Sequence, residues 1–162
     1  MNATQIVGLA AFVVTALLCA QAARRSSVAA GFWGGMAGLY ALLSVDMALD
    51  LRMDLRRGMV QAAKAAGDYG ARREVQPILL GLLALGVVVG LALLARRLRG
   101  AGARLALLGA AATLAVVGTE VISLHRVDAM LYRPIGPVMA IAWAWSASAA
   151  LVCLGALRAA RR

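Results

Sequence analysis

Five runs of about 20 apolar residues, separated by short charged stretches, constrain this chain more than any other feature. A helix of that length crosses the hydrocarbon core of a bilayer, where a backbone must satisfy its own hydrogen bonds, so each run predicts a transmembrane helix. The runs cover residues 4–22, 28–49, 77–95, 105–124 and 137–157. At 162 residues the chain has no length left for a separate soluble domain, and a mean hydropathy of +0.84 argues against a water-soluble core. The expected fold is all-α: a single integral membrane domain over residues 1–162, built as a bundle of about five transmembrane helices.

The net charge of +10 would suit a nucleic-acid partner, but its distribution does not. The arginines stand in short clusters at the ends of apolar runs: Arg24-Arg25, Arg96-Arg97 with Arg99 and Arg104, and Arg158 with Arg161-Arg162. That pattern anchors helices at a membrane surface and offers no basic stripe interleaved with stacking aromatics. Membrane lipids are therefore the expected partners, with no nucleic acid. Loops one and three and the C-terminus hold nine Lys/Arg, loops two and four hold eight. The nine are denser at helix ends and the N-terminal tail is short, which predicts the N-terminus outside and the C-terminus in the cytoplasm. The first run has no basic residues before it, so it reads as a retained helix and not a cleaved signal. Cys19 and Cys153 lie inside apolar runs without metal or redox spacing.

All seven acids and the only histidine fall on the side opposite the nine arginines. Asp46, Asp50, Asp54, Asp68 and Glu74 belong to the stretch between spans two and three; Glu120, His125 and Asp128 belong to the next turn on that side. From Asp46 to Ala66 good helix formers dominate. Span two is thus expected to continue past the membrane surface and reverse around Gly67–Gly70, giving a projecting helical hairpin. On a continuous helix Asp46, Asp50 and Asp54 would share a stripe roughly 80° wide, with Met53 and Arg57. Asp46 and Glu120 sit in apolar surroundings, where an acid is costly unless paired, protonated or facing a wet cavity.

His125 and Asp128 are i,i+3 neighbours on a helix, a spacing that lets a carboxylate orient an imidazole and raise its basicity. His125, Glu120 and Asp128 are accordingly the candidate catalytic groups, and Asp46, Asp50, Tyr69, Arg72, Arg73 and Gln76 the candidate ligand-binding ones. Arg72 and Arg73 have two readings, as a clamp for phosphate or carboxylate or as an internal cap on the nearby acids. No metalloprotease, nucleotide, nucleophile-elbow or CxxC motif is present, and one histidine cannot build a bis-histidine haem site. A divalent metal would be held by His125, Asp128 and Asp50, a donor set suiting Zn, Mn or Fe better than Cu(I). Met47, Met53, Met59 and Met130 near the same face leave copper as the lesser option.

Gly31, Gly34, Gly35 and Gly38 give span two a small-residue face that lets another helix approach closely. Packing within the chain is the simplest use; the Gly31/Gly35/Gly38 face would otherwise serve a partner subunit or a second copy. Trp33 suits an interfacial belt, and Trp143 and Trp145 point to opposite sides of span five as packing residues.

The stretch Leu49-Asp50-Leu51, then Gly67, Tyr69, Arg72-Arg73 and Gln76, and again Ser123-Leu124-His125-Arg126-Val127-Asp128, resembles a pattern in small bacterial multi-pass membrane proteins without an established activity. That resemblance covers the middle of the chain and implies a bacterial inner-membrane setting and no particular reaction. The functional expectation is a polar, carboxylate- and His-lined pocket on the extracytoplasmic side. It would bind a metal ion or a small or lipid-linked polar ligand, with His125 available for acid–base chemistry. The alternative is a non-catalytic accessory subunit of a larger membrane complex.

Overall fold

A computed structural model describes residues 1–26, 29–65, 67, 72–98, 100–122 and 125–161. Five helices are long and apolar enough to cross a membrane: α1 (Ala3–Arg25), α2 (Ala30–Leu49), α4 (Arg72–Arg97), α5 (Ala101–Ile122) and α7 (Ala140–Ala160). Two shorter helices, α3 (Leu51–Ala65) and α6 (His125–Leu131), and a two-stranded hairpin, β1 (Pro134–Ile135) and β2 (Val138–Met139), connect them. All of these joining elements lie at the end where the acids gather. We call it the acidic end, and the other the arginine end.

The core is formed by α1, α2, α5 and α7. Helix α2 turns Trp33, Met36, Tyr40, Leu43 and Met47 inward, a three–four spacing that lines one face. Phe12 of α1 stacks edge-on to Tyr40 at 5.8 Å and lies 6.2 Å from Trp145 of α7. Polar side chains cross-link the helices at mid-depth: Thr113 Oγ1 lies 2.8 Å from the Tyr40 hydroxyl and 2.9 Å from Ser148 Oγ. In an apolar surround such bonds add to van der Waals packing as the force between helices. On α1, Thr15 donates to the Ala11 carbonyl and touches Cys153 Sγ at 3.2 Å; both cysteines are free.

Glycines set the closest approach, but not those on span two. A Cβ on Gly155 would sit 2.5 Å from the Gly102 carbonyl oxygen, and one on Gly109 2.6 Å from that of Ser148, so α5 and α7 meet backbone to backbone. Gly8 makes room for the Trp145 ring and the Met47 methyl. A Cβ on Gly31, Gly34, Gly35 or Gly38 would meet nothing within 4 Å among the described residues. Expected packing of that face within the chain is therefore corrected: the bulky inward stripe of α2 takes the bundle and leaves the glycines on the opposite side. Gly35→Ala should leave thermal stability within about 0.5 kcal/mol of the parent, measured by unfolding in detergent.

Span two ends at Leu49, where its apolar run ends, but its helix does not run on past that point as expected. Asp50 is the C-cap of α2 in the left-handed region (φ 58°, ψ 30°), and α3 begins at the next residue. The continuous projecting helix is thus replaced by a break, which carries Asp54 out of the stripe shared with Asp46. Asp54 is exposed and pairs with Arg57 at 3.2 Å. The reversal expected around Gly67–Gly70 falls outside the described residues apart from Gly67, which takes φ 75°. Span five starts at Ala140 and not at Pro137, because Pro137 belongs to the turn of the β-hairpin, where Gly136 takes φ 68°. Left-handed backbone disfavours a Cβ, and aspartate tolerates it better than most residues. Asp50→Gly should therefore keep or raise stability, by up to about 1 kcal/mol, in the same unfolding measurement.

Candidate functional site

The break at Asp50 aims the first turn of α3 back into the bundle, and the residue it delivers is Arg52. Its side chain is 6% exposed. The guanidinium lies between two helices' acids: Nε is 2.7 Å from Asp46 Oδ2, and Nη1 donates to Glu120 Oε2 at 2.7 Å. The first contact is an ion pair whose angle falls short of a hydrogen bond. The Arg52 backbone N–H donates to the other Asp46 oxygen at 2.9 Å, so Asp46 holds the arginine at both ends. Nη2 reaches Met47 Sδ at 3.4 Å, and the cation stands 5.1 Å from the centre of the Trp145 ring. That is within cation–π range.

Glu120 is 2% exposed, near the C-terminal end of α5. Its Oε1 accepts from the Tyr132 hydroxyl at 3.1 Å and its Oε2 from Arg52, so both oxygens are engaged. Tyr132 follows α6, and the β-hairpin behind it is tied to the start of α1, where the Met139 N–H donates to Thr4 Oγ1 at 3.1 Å. Asn2 and Gln5 cap that helix reciprocally. The chain start, the α2–α3 break, the end of α5 and the β-hairpin thus converge. Between them lies a cavity of about 230 Å³, lined by Gln5, Asp50, Arg52, Glu120, Tyr132 and Met53 among others. Trp145 forms part of its wall. The indole Nε1 is buried without a hydrogen-bond partner among the described residues. Tyr132→Phe should remove one bond to Glu120 and cost about 1 kcal/mol in thermal unfolding, with the ion pair left intact.

Compared with family models, with curated proteins and with solved structures, the chain finds no significant match. The site is therefore read from its own geometry.

Of the residues singled out from the sequence, Asp50 and Glu120 line this cavity, and Asp46 is joined to Glu120 through Arg52 without lining it. Gln76, on α4, donates to the Ile122 carbonyl at 3.1 Å and so ties α4 to the end of α5. Asp128 sits half-buried on α6 and is not among the residues lining the cavity. Tyr69 and the side chains of Arg72, Arg73 and His125 lie outside the described residues, as does the Met59 side chain. Among the described residues no group of three His, Cys, Asp or Glu is arranged to hold a metal ion. Within that set the cation between Asp46 and Glu120 is Arg52.

Sequence reasoning missed Arg52. Read as part of a continuous helix, it is one of several arginines on a solvated stem. The available signal was its setting, Asp50-Leu51-Arg52-Met53, in which a lone arginine sits between apolar residues and six positions from an intramembrane acid.

Proposed function

We propose that this protein is an inner-membrane protein that binds a small positively charged ligand, a primary amine or a hydrated divalent metal ion, in the Arg52 cavity. The denser clustering of Lys/Arg at helix ends in loops one and three and the C-terminus supports a cavity that opens on the extracytoplasmic side and a C-terminus in the cytoplasm. The observation that carries the reading is the formal charge of the cavity. Two carboxylates, Asp50 and Glu120, line the cavity with one guanidinium, and that guanidinium is shared with a third carboxylate, Asp46, which does not line it. Arg52 is engaged by Asp46 and Glu120 and cannot offset both, so Asp50, half-exposed, is the acceptor for a cation. Because both oxygens of Glu120 are occupied, its role is to hold Arg52, and binding is favoured over proton transfer at that residue. The unpartnered Trp145 Nε1 supports a ligand that carries a hydrogen-bond acceptor beside its positive charge, as the hydroxyl of ethanolamine does.

Asp50→Asn tests this directly, since asparagine tolerates the left-handed backbone. Binding of ethanolamine, Mn²⁺ and Zn²⁺ to the purified protein would be followed by titration calorimetry. At least tenfold weaker binding at an unchanged unfolding temperature is expected for whichever probe binds the parent. Equal binding by the variant would reject the assignment. An amine-only or metal-only response identifies the ligand class.

The open Gly31/Gly35/Gly38 face favours a second reading, an accessory subunit whose α2 packs on another chain. Purification in gentle detergent with a stoichiometric partner that is lost in Gly35→Leu would support it.

A further inference from the structure

At the arginine end the structure holds a second and larger cavity, about 480 Å³, lined by Ser26, Trp33, Gly100, Gly102, Arg158 and Arg161 among others. We propose that it is a binding site for the phosphate-bearing headgroup of an anionic phospholipid.

Three observations converge on that occupant. The first is charge: Arg158 and Arg161 line the cavity, and among the described residues no Asp or Glu pairs with either. Guanidinium forks bind phosphate oxygens bidentately, and a basic pocket between transmembrane helices is suited to a lipid headgroup. The second is packing. The mutual approach of Gly102 and Gly155 draws the last turn of α7 onto the first turn of α5, so that a Cβ on Gly102 would lie 3.5 Å from that of Arg158. Ala101, Gly102 and Ala103, whose N–H groups have no partners within α5, line the same cavity as the two arginines. The third is position. The cavity lies at the ends of α1, α2, α5 and α7, where membrane-spanning helices meet the headgroup layer, and its floor includes Trp33, which is 1% exposed. A lipid phosphate reaches that depth with its acyl chains left in the bilayer, which a free phosphate does not require.

The experiment uses the whole protein in nanodiscs of phosphatidylcholine, with and without phosphatidylglycerol, and reads the unfolding temperature and the lipids retained in native mass spectrometry. The parent should retain phosphatidylglycerol and be stabilised by it. Arg158→Gln/Arg161→Gln should weaken phosphatidylglycerol retention at least tenfold, with unfolding in pure phosphatidylcholine unchanged. Both arginines are exposed on the last turn of α7, so the variant should fold. Arg96→Gln, an exposed arginine at the same end that does not line the cavity, should behave as the parent. An equal loss in Arg96→Gln would show general surface attraction and overturn the site. Equal stabilisation of the detergent-solubilised parent by millimolar inorganic phosphate would overturn the lipid as its occupant. Unchanged retention in the double variant would overturn both.

Discussion

Arg52→Met should destabilise the protein by about 3–5 kcal/mol, the largest effect expected of any single polar substitution in the chain. The size follows from what is left behind. Asp46 and Glu120 are 19% and 3% exposed as side chains and share one cation. Methionine fills most of the volume and keeps contact with Met47 and Trp145, yet leaves two carboxylates facing each other without a counter-charge. A matched triple variant, Asp46→Asn with Arg52→Met and Glu120→Gln, removes the charges together and should recover most of that loss. The gain arises because removing a whole buried ion pair is far cheaper than removing one partner. Unfolding in detergent by urea or heat, run on the two variants side by side, is decisive. A single variant as stable as the parent would mean that the triad contributes nothing to the fold.

Gly155→Leu should be at least as damaging, by a different route. The added Cβ falls 2.5 Å from the Gly102 carbonyl oxygen and 3.0 Å from the Ala106 backbone nitrogen, and neither backbone atom can rotate away. Helices α5 and α7 must then separate along their length, because the Gly109–Ser148 contact further along the same seam is equally tight. Overpacking of a flexible site costs about 1–3 kcal/mol, and a backbone obstacle costs more. Loss of the folded monomer from size-exclusion profiles is the expected readout, whereas Gly35→Leu on the open face should still elute as folded protein. The contrast between two glycines of the same apolar chain separates packing from composition.

The bundle was legible because length and apolarity are the whole requirement for a membrane span, and every one of the five runs corresponds to a helix. Boundaries were less so. Asp50 stops α2 in a stretch where each neighbour favours helix, and what holds the break is a contact 68 positions away, between Arg52 and Glu120. Propensity is local and cannot report such a partner. The cost of an intramembrane acid drew attention to Asp46 and Glu120, which both contact Arg52, yet the same reasoning overlooked the arginine between them, since a basic residue after a span usually serves as an anchor. The glycine face of α2 misled for a related reason. Small residues permit close approach without specifying which helix makes it, and here the partners of α5 and α7 were the glycines spaced less conspicuously, Gly102, Gly109 and Gly155.

The triad also imposes a chronology on biogenesis. Asp46 and Arg52 are six residues apart and can pair as soon as both leave the ribosome, forming a neutral unit cheap to lower toward the lipid. Glu120 emerges much later, on the fourth long apolar helix, and enters the bilayer before its counter-ion is met, protonated or with its charge uncompensated. Delivery of that helix is therefore complete only when it docks beside the waiting guanidinium. A nascent chain arrested before residue 120 should leave the α2–α3 junction open to protease, or to a thiol-reactive probe at a cysteine introduced there, and one released beyond it should close.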